Sequence, residues 1–130
     1  MSCKVMIVDD DANIRLKVKE ILERHGIATC MAETGYICLE NFKNGFQGLV
    51  LMDAAMPELD GWDTVSRLVS EGYINNAIVC MITGYSEPSS KMDVLKEHVI
   101  DYIVKPFSIQ ELVETVQNYL AYFENNRVGD

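Results

Sequence analysis

The chain has 130 residues, 48% of them apolar, which fits one domain with its own core and excludes a disordered tail. Twenty acidic residues against 11 basic ones leave a net charge of −9. Phosphate backbones and anionic membrane surfaces bind through Lys and Arg, so neither is an expected partner. The four cysteines, Cys3, Cys30, Cys38 and Cys80, contain no C-x-x-C pair and read as small buried hydrophobes of a reducing compartment. The apolar run Val5–Val8 is too short for a signal-peptide core, and no stretch approaches the ~18 apolar residues of a membrane span. A cytoplasmic location is the expectation.

In chain order, short β-rich runs at Val5–Val8, Ala28–Met31, Leu49–Met52, Ala77–Ile82 and Tyr102–Val104 alternate with segments of helical spacing. The first such segment puts Ile14, Val18, Ile21 and Leu22 on one face and ends at Gly26. Asp11 is placed to cap its start. The second, from Tyr36 to Asn44, ends at Gly45. The third opens at Asp60-Gly61 and ends at Gly72. A fourth covers about Ser89 to Glu97. The fifth runs from Ser108 to Glu124, with Glu111 in the capping-box position.

Five strands alternating with five helices predict an α/β fold with a parallel sheet covered on both faces. In such sheets the chemistry gathers at the carboxyl ends of the strands. Those ends carry Asp9-Asp10-Asp11, Asp53, Thr83 and Lys105-Pro106. Three carboxylates in one cleft repel: at ~5 Å and an effective dielectric of ~20, each pair costs about 3 kcal/mol. One lysine offsets part of that. A hard divalent cation offsets more, and oxygen ligands favour Mg²⁺.

These residues resemble a response-regulator receiver domain, the phosphoacceptor half of two-component signalling. The likeness rests on Ile7-Val8-Asp9-Asp10, on Leu51 to Gly61 around Asp53, on Ile82-Thr83-Gly84 and on Tyr102-Ile103-Val104-Lys105-Pro106-Phe107. It spans Lys4 to about Phe123. It implies a flavodoxin-like doubly wound (βα)5 fold with strand order 2-1-3-4-5, a receiver domain over 1–124 and a short tail or linker over 125–130.

The resemblance also implies roles. Asp53 would accept the phosphoryl group from a histidine kinase or phosphotransfer protein. Asp10 directly, Asp9 mostly through water, Asp53 and the carbonyl of Ala55 would hold Mg²⁺. Lys105, before a cis bond to Pro106, would pair with Asp53 and then with the phosphoryl oxygens. Thr83 would hydrogen-bond a phosphoryl oxygen and, with Tyr102, form the switch toward a downstream protein target that the sequence does not name. Catalysis would be confined to the domain's own phosphorylation and dephosphorylation. Ala55 and Tyr85, at positions that tune hydrolysis in receivers, offer no acid or base, so self-dephosphorylation should be slow.

Some features depart from the receiver pattern. Glu97-His98-Val99-Ile100 stands where receivers carry a glycine; His98, which can take a left-handed conformation less readily than glycine, reads either as a substitute cap or as a pH-sensitive element. The fifth helix has no Lys or Arg, which speaks against the dimer built on charged pairs of the fourth helix, fifth strand and fifth helix. The first helix carries Arg15, Lys17, Lys19 and Arg24, a basic face for a kinase helix bundle or simply a solvated one. Three other readings compete. Asp9-x-Asp11 mimics the nucleophile motif of haloacid-dehalogenase-type phosphohydrolases, although Asn13 stands where Thr or Val is expected. A flavodoxin lacks support, because aspartates replace its phosphate-cradling loop. A phosphorylation-independent interaction module of receiver fold is the third. Stand-alone receiver and piece of a longer regulator both remain open.

Overall fold

The computed structural model describes residues 2–84 and 95–125. In chain order it contains β1 (Val5–Val8), α1 (Ala12–Arg24), β2 (Thr29–Ala32), α2 (Gly35–Lys43), β3 (Gly48–Asp53) and α3 (Gly61–Ser70). A 3-10 turn (Ile74–Asn76), β4 (Ala77–Thr83), a second 3-10 turn (Lys96–His98), β5 (Val99–Val104) and α4 (Ile109–Asn125) follow. The five strands form one parallel sheet in the order β2-β1-β3-β4-β5, as expected.

Every residue of β1 and β3 is buried, because helices cover both faces of the sheet. Alternate residues feed two cores. Met6, Val8, Val50, Met52, Val79 and Met81 pack with α2 and α3 on one side. Val5, Ile7, Leu49, Leu51, Cys80 and Ile82 pack with α1 and α4 on the other. Helix starts are set by side-chain caps. Asp11 accepts from the amides of Asn13 (2.9 Å) and Ile14 (3.4 Å). Asp60 accepts from Asp63 (2.8 Å) and Ser108 from Glu111 (3.0 Å). Gly26, at φ +77°, follows α1 in the left-handed conformation that ends helices.

Several expectations need correction. β5 begins at Val99, three residues earlier than the pattern indicates. Val79 pairs with Val99 but Cys80 with Asp101, so Ile100 is an extra, bulged residue. The bulge breaks the two-residue alternation from which a strand is read. His98 ends a 3-10 turn; among the described residues only Glu58, at φ 66°, has positive φ without being glycine. Cys38 and Cys80 are buried, whereas Cys3 and Cys30 are only half-buried. Burial pushes the thiols of Cys38 and Cys80 up to about 12, and nearby Asp101 adds to the shift at Cys80. Tyr85, most of the expected helix over Ser89 to Glu97, and all but Asn125 of the expected tail lie outside the described residues. Among the described residues no helix is long and apolar enough to cross a membrane.

Candidate functional site

β1 and β3 are neighbours in register, Val8 beside Met52, so the residues that follow them, Asp9 and Asp53, come out side by side. Both are almost fully buried, at 1% and 5% exposure, whereas Asp10 is exposed. Carboxylate oxygens of Asp9, Asp10 and Asp53 lie within 4.8 Å of one another. Lys105 leaves the end of β5 toward this group. Its backbone amide donates to the carbonyl of Thr83 (2.8 Å), and its peptide bond to Pro106 is cis. Lys105 Nζ lies 3.5 Å from Asp9 Oδ2 and 3.5 Å from Asp53 Oδ1.

The backbone frames the same oxygens. Asp9 Oδ1 accepts from the Asp11 amide (2.9 Å), and Asp53 Oδ1 accepts from the Ala55 amide (3.3 Å). Asp9 Oδ2 is buried without a hydrogen-bond partner, 3.5 Å from the Lys105 ammonium. The strand end is held close to α3. The Gly61 amide donates to the Ala54 carbonyl (3.0 Å), and a Cβ at Gly61 would fall 2.2 Å from the Asp53 carbonyl oxygen. Only glycine admits that approach.

Asp9 and Asp53 share one ammonium, with the Asp10 carboxylate beside them. Burial, followed by the Asp9 carboxylate, pushes the Asp53 carboxyl up to about 6, with Lys105 opposing the shift. The mutual repulsion of crowded carboxylates is also relieved by a bound cation. The donors are all oxygen, one buried oxygen lacks a partner, and the exposed Asp10 leaves one side open to water. That set fits Mg²⁺, which keeps several of its waters.

Thr83 ends β4, and its backbone pairs with Val104 in β5. Tyr102 is half-buried on β5 opposite Met81, its ring 6.2 Å from that of Trp62 at the start of α3. Ala55 is exposed beside Asp53. The structure thus brings Asp9, Asp10, Asp53 and Lys105 together, flanks them with Ala55 and Thr83, and leaves Tyr102 outside the cluster.

Residues 5–117 match the family model of the response regulator receiver domain. The chain belongs to that family. The chemotaxis protein CheY of Bacillus subtilis is 31% identical over 121 residues, covering 92% of this chain and 99% of that protein. The regulatory protein AtoC of Escherichia coli is 32% identical over 117 residues, 90% of this chain but only 25% of AtoC. The chain therefore spans the whole of one relative and about a quarter of the other. A CheY-like receiver domain protein of Methanospirillum hungatei superposes with a TM-score of 0.90 at 38% identity, covering 97% and 100% of the two chains.

Receiver domains are the signalling modules of two-component systems and work with histidine kinases and downstream effectors. Membership sets aside the phosphohydrolase and flavodoxin readings. The basic face of α1 is smaller than its sequence implies. Lys19 is engaged by Glu23 and by the Thr29 carbonyl (2.9 Å each), and Arg24 pairs with Glu20. Arg15 turns inward, its side chain 15% exposed. Lys17 remains; with Lys105 it lines a mainly apolar groove of about 270 Å³ formed by Ile14, Ile21, Phe107 and Ile109.

Proposed function

We propose that Asp53 accepts a phosphoryl group from a phosphohistidine on a histidine kinase or phosphotransfer protein. The observation that carries this is the Lys105 ammonium set between two buried carboxylates, Asp9 and Asp53, with Asp10 beside them. An Asp53 oxygen attacks phosphorus, the N–P bond breaks, and the donor imidazole takes the electron pair as leaving group. Asp53 must be ionised to attack. With its carboxyl pushed up to about 6, most of it is ionised at neutral pH, and its anionic form is a stronger nucleophile for having lost solvent.

Asp9, Asp10, Asp53 and the Ala55 carbonyl would hold Mg²⁺, which supplies positive charge for the phosphoryl oxygens. Lys105 turns its ammonium from Asp53 to the transferred group, where three oxygens share the charge. Thr83 donates its hydroxyl to one of those oxygens. Tyr102 then follows into the space that Thr83 leaves, and the surface beside β5 changes for a protein partner. The net charge of −9 supports a protein target over direct contact with nucleic acid. The groove beside α1, lined in part by Lys17, suits the helices of the phosphodonor.

Intact mass after incubation with acetyl phosphate and Mg²⁺, for the wild type and Asp53→Asn, tests the reading. One phosphoryl group that requires Mg²⁺ and disappears in the variant supports it. A folded, Mg²⁺-binding protein that stays unmodified by acetyl phosphate and by a phosphorylated histidine donor would favour the phosphorylation-independent module.

A further inference from the structure

Arg15 lies on α1, outside the residues that the receiver likeness brings to the site. Its Nη1 donates to the backbone carbonyl of Asp9 at 2.7 Å, and its Nη2 lies 4.0 Å from Glu33 just after β2. The Asp9 amide donates to the Ala32 carbonyl (3.1 Å) and Asp9 Oδ1 accepts from Asp11, so Asp9 is gripped at its amide, its side chain and its carbonyl. The Asp10 carboxylate is different. It is exposed, and no hydrogen bond or ion pair among the described residues holds it. Its place near Asp9 and Asp53 is set by the backbone alone. The peptide unit joining Asp9 to Asp10 decides where that carboxylate points, and the carbonyl of this unit is the atom Arg15 holds.

We infer that Arg15 is a positioning residue that sets the cation affinity of the carboxylate cluster by fixing the Asp9–Asp10 peptide. This rests on the Mg²⁺ reading proposed above. Two effects of the guanidinium have opposite sign. As a positive charge near three carboxylates it weakens cation binding. As the anchor of the Asp9 carbonyl it strengthens binding, because an unanchored peptide lets the Asp10 carboxylate spread over positions that do not converge with Asp53. A charged-group hydrogen bond at 2.7 Å is strong enough for the second effect to dominate.

The test is Mg²⁺ affinity by calorimetry for the wild type, Arg15→Met, Arg15→Lys and Arg24→Met, the last removing a charge at the far end of α1. Arg15→Met should weaken Mg²⁺ about tenfold, Arg15→Lys should weaken it less, and Arg24→Met should leave it within about twofold. With acetyl phosphate, the half-saturating Mg²⁺ concentration should rise in Arg15→Met while the rate at saturating Mg²⁺ holds within about twofold. Tighter or unchanged Mg²⁺ binding in Arg15→Met overturns the inference in favour of a charge effect or a purely structural contact. If that variant does not fold, unchanged affinity in Arg15→Lys does the same. A wild type that binds no Mg²⁺ would instead remove the cation reading itself.

Discussion

Lys105 and Asp53 meet across two strand ends, with Nζ 3.5 Å from Oδ1, and the same ammonium is 3.5 Å from Asp9 Oδ2. It is the counter-charge of two buried acids, and among the described residues it is the one cation paired with Asp9 Oδ2, which has no hydrogen-bond partner. Lys105→Met should lower the stability of the metal-free protein by about 2 kcal/mol, since two desolvated carboxylates then lose their shared partner. Excess Mg²⁺ should restore most of that loss, yet phosphorylation by acetyl phosphate should fall at least about tenfold. Urea unfolding with and without Mg²⁺, alongside the mass assay, separates the two effects. Equal loss with and without Mg²⁺ would show that Lys105 does not balance the acids.

The raised Asp53 carboxyl makes a pH prediction. In the folded metal-free protein it titrates at about 6, against 3.8 for an ordinary aspartate. The folded state therefore binds the proton more tightly, and stability from this group falls as pH rises through that interval and stays low above it. Asn carries no charge to bury. Asp53→Asn should stabilise the metal-free protein at pH 8 by on the order of 2 kcal/mol, with the advantage vanishing toward pH 4. Urea melts in a chelator at pH 4, 6 and 8 read this directly. An advantage that grows toward acid pH would contradict it.

Cation binding should stabilise the fold by mass action. At Mg²⁺ about 100-fold above its dissociation constant, the gain is about 2.7 kcal/mol, a rise of several degrees in Tm that a chelator reverses. Asp10→Asn should lose most of this rise without lowering metal-free stability, because that carboxylate is exposed, is bonded to nothing else among the described residues and repels Asp53. Scanning calorimetry with Mg²⁺ or chelator decides the matter.

Gly61 offers a steric test. A methyl group there would fall 2.2 Å from the Asp53 carbonyl oxygen and 2.9 Å from the Ala54 Cα, both backbone atoms with little freedom to yield. Gly61→Ala should cost about 2–3 kcal/mol and displace the end of β3, slowing phosphorylation. Gly72→Ala, at φ +85° but with open space around it, should cost about 1 kcal/mol from backbone strain and leave phosphorylation unchanged. Equal phosphorylation rates in the two variants would count against Gly61 setting the position of Asp53.

Trp62 is the single tryptophan, and its ring lies 6.2 Å from that of Tyr102. If Tyr102 moves on phosphorylation, Trp62 emission should shift when acetyl phosphate is added with Mg²⁺. That shift should be lost in Asp53→Asn and strongly reduced in Tyr102→Ala. A wild-type emission that stays constant while the mass shows full phosphorylation would exclude the movement.

The sequence by itself determined the elements and the strand ends. Val5–Val8 and the runs at Leu49 and Ala77 read as buried strands because helices on both faces leave no solvent side to mark with polar residues. Asp11 and Ser108 read as helix starts because a cap acts over three residues. Asp9, Asp53, Thr83 and Lys105 could be singled out because each follows an apolar run. The bulge at Ile100 was hidden, since a bulge removes the periodicity on which the reading depends. Only the tertiary structure decided which charges meet. Lys105 reaches two carboxylates, Asp9 Oδ2 is left with no hydrogen-bond partner, and Arg15 turns from a basic helix face to a backbone carbonyl. Local patterns encode which face of an element is buried, but distances between strand ends follow from the parallel register β1·β3·β4·β5, which joins residues far apart in the chain.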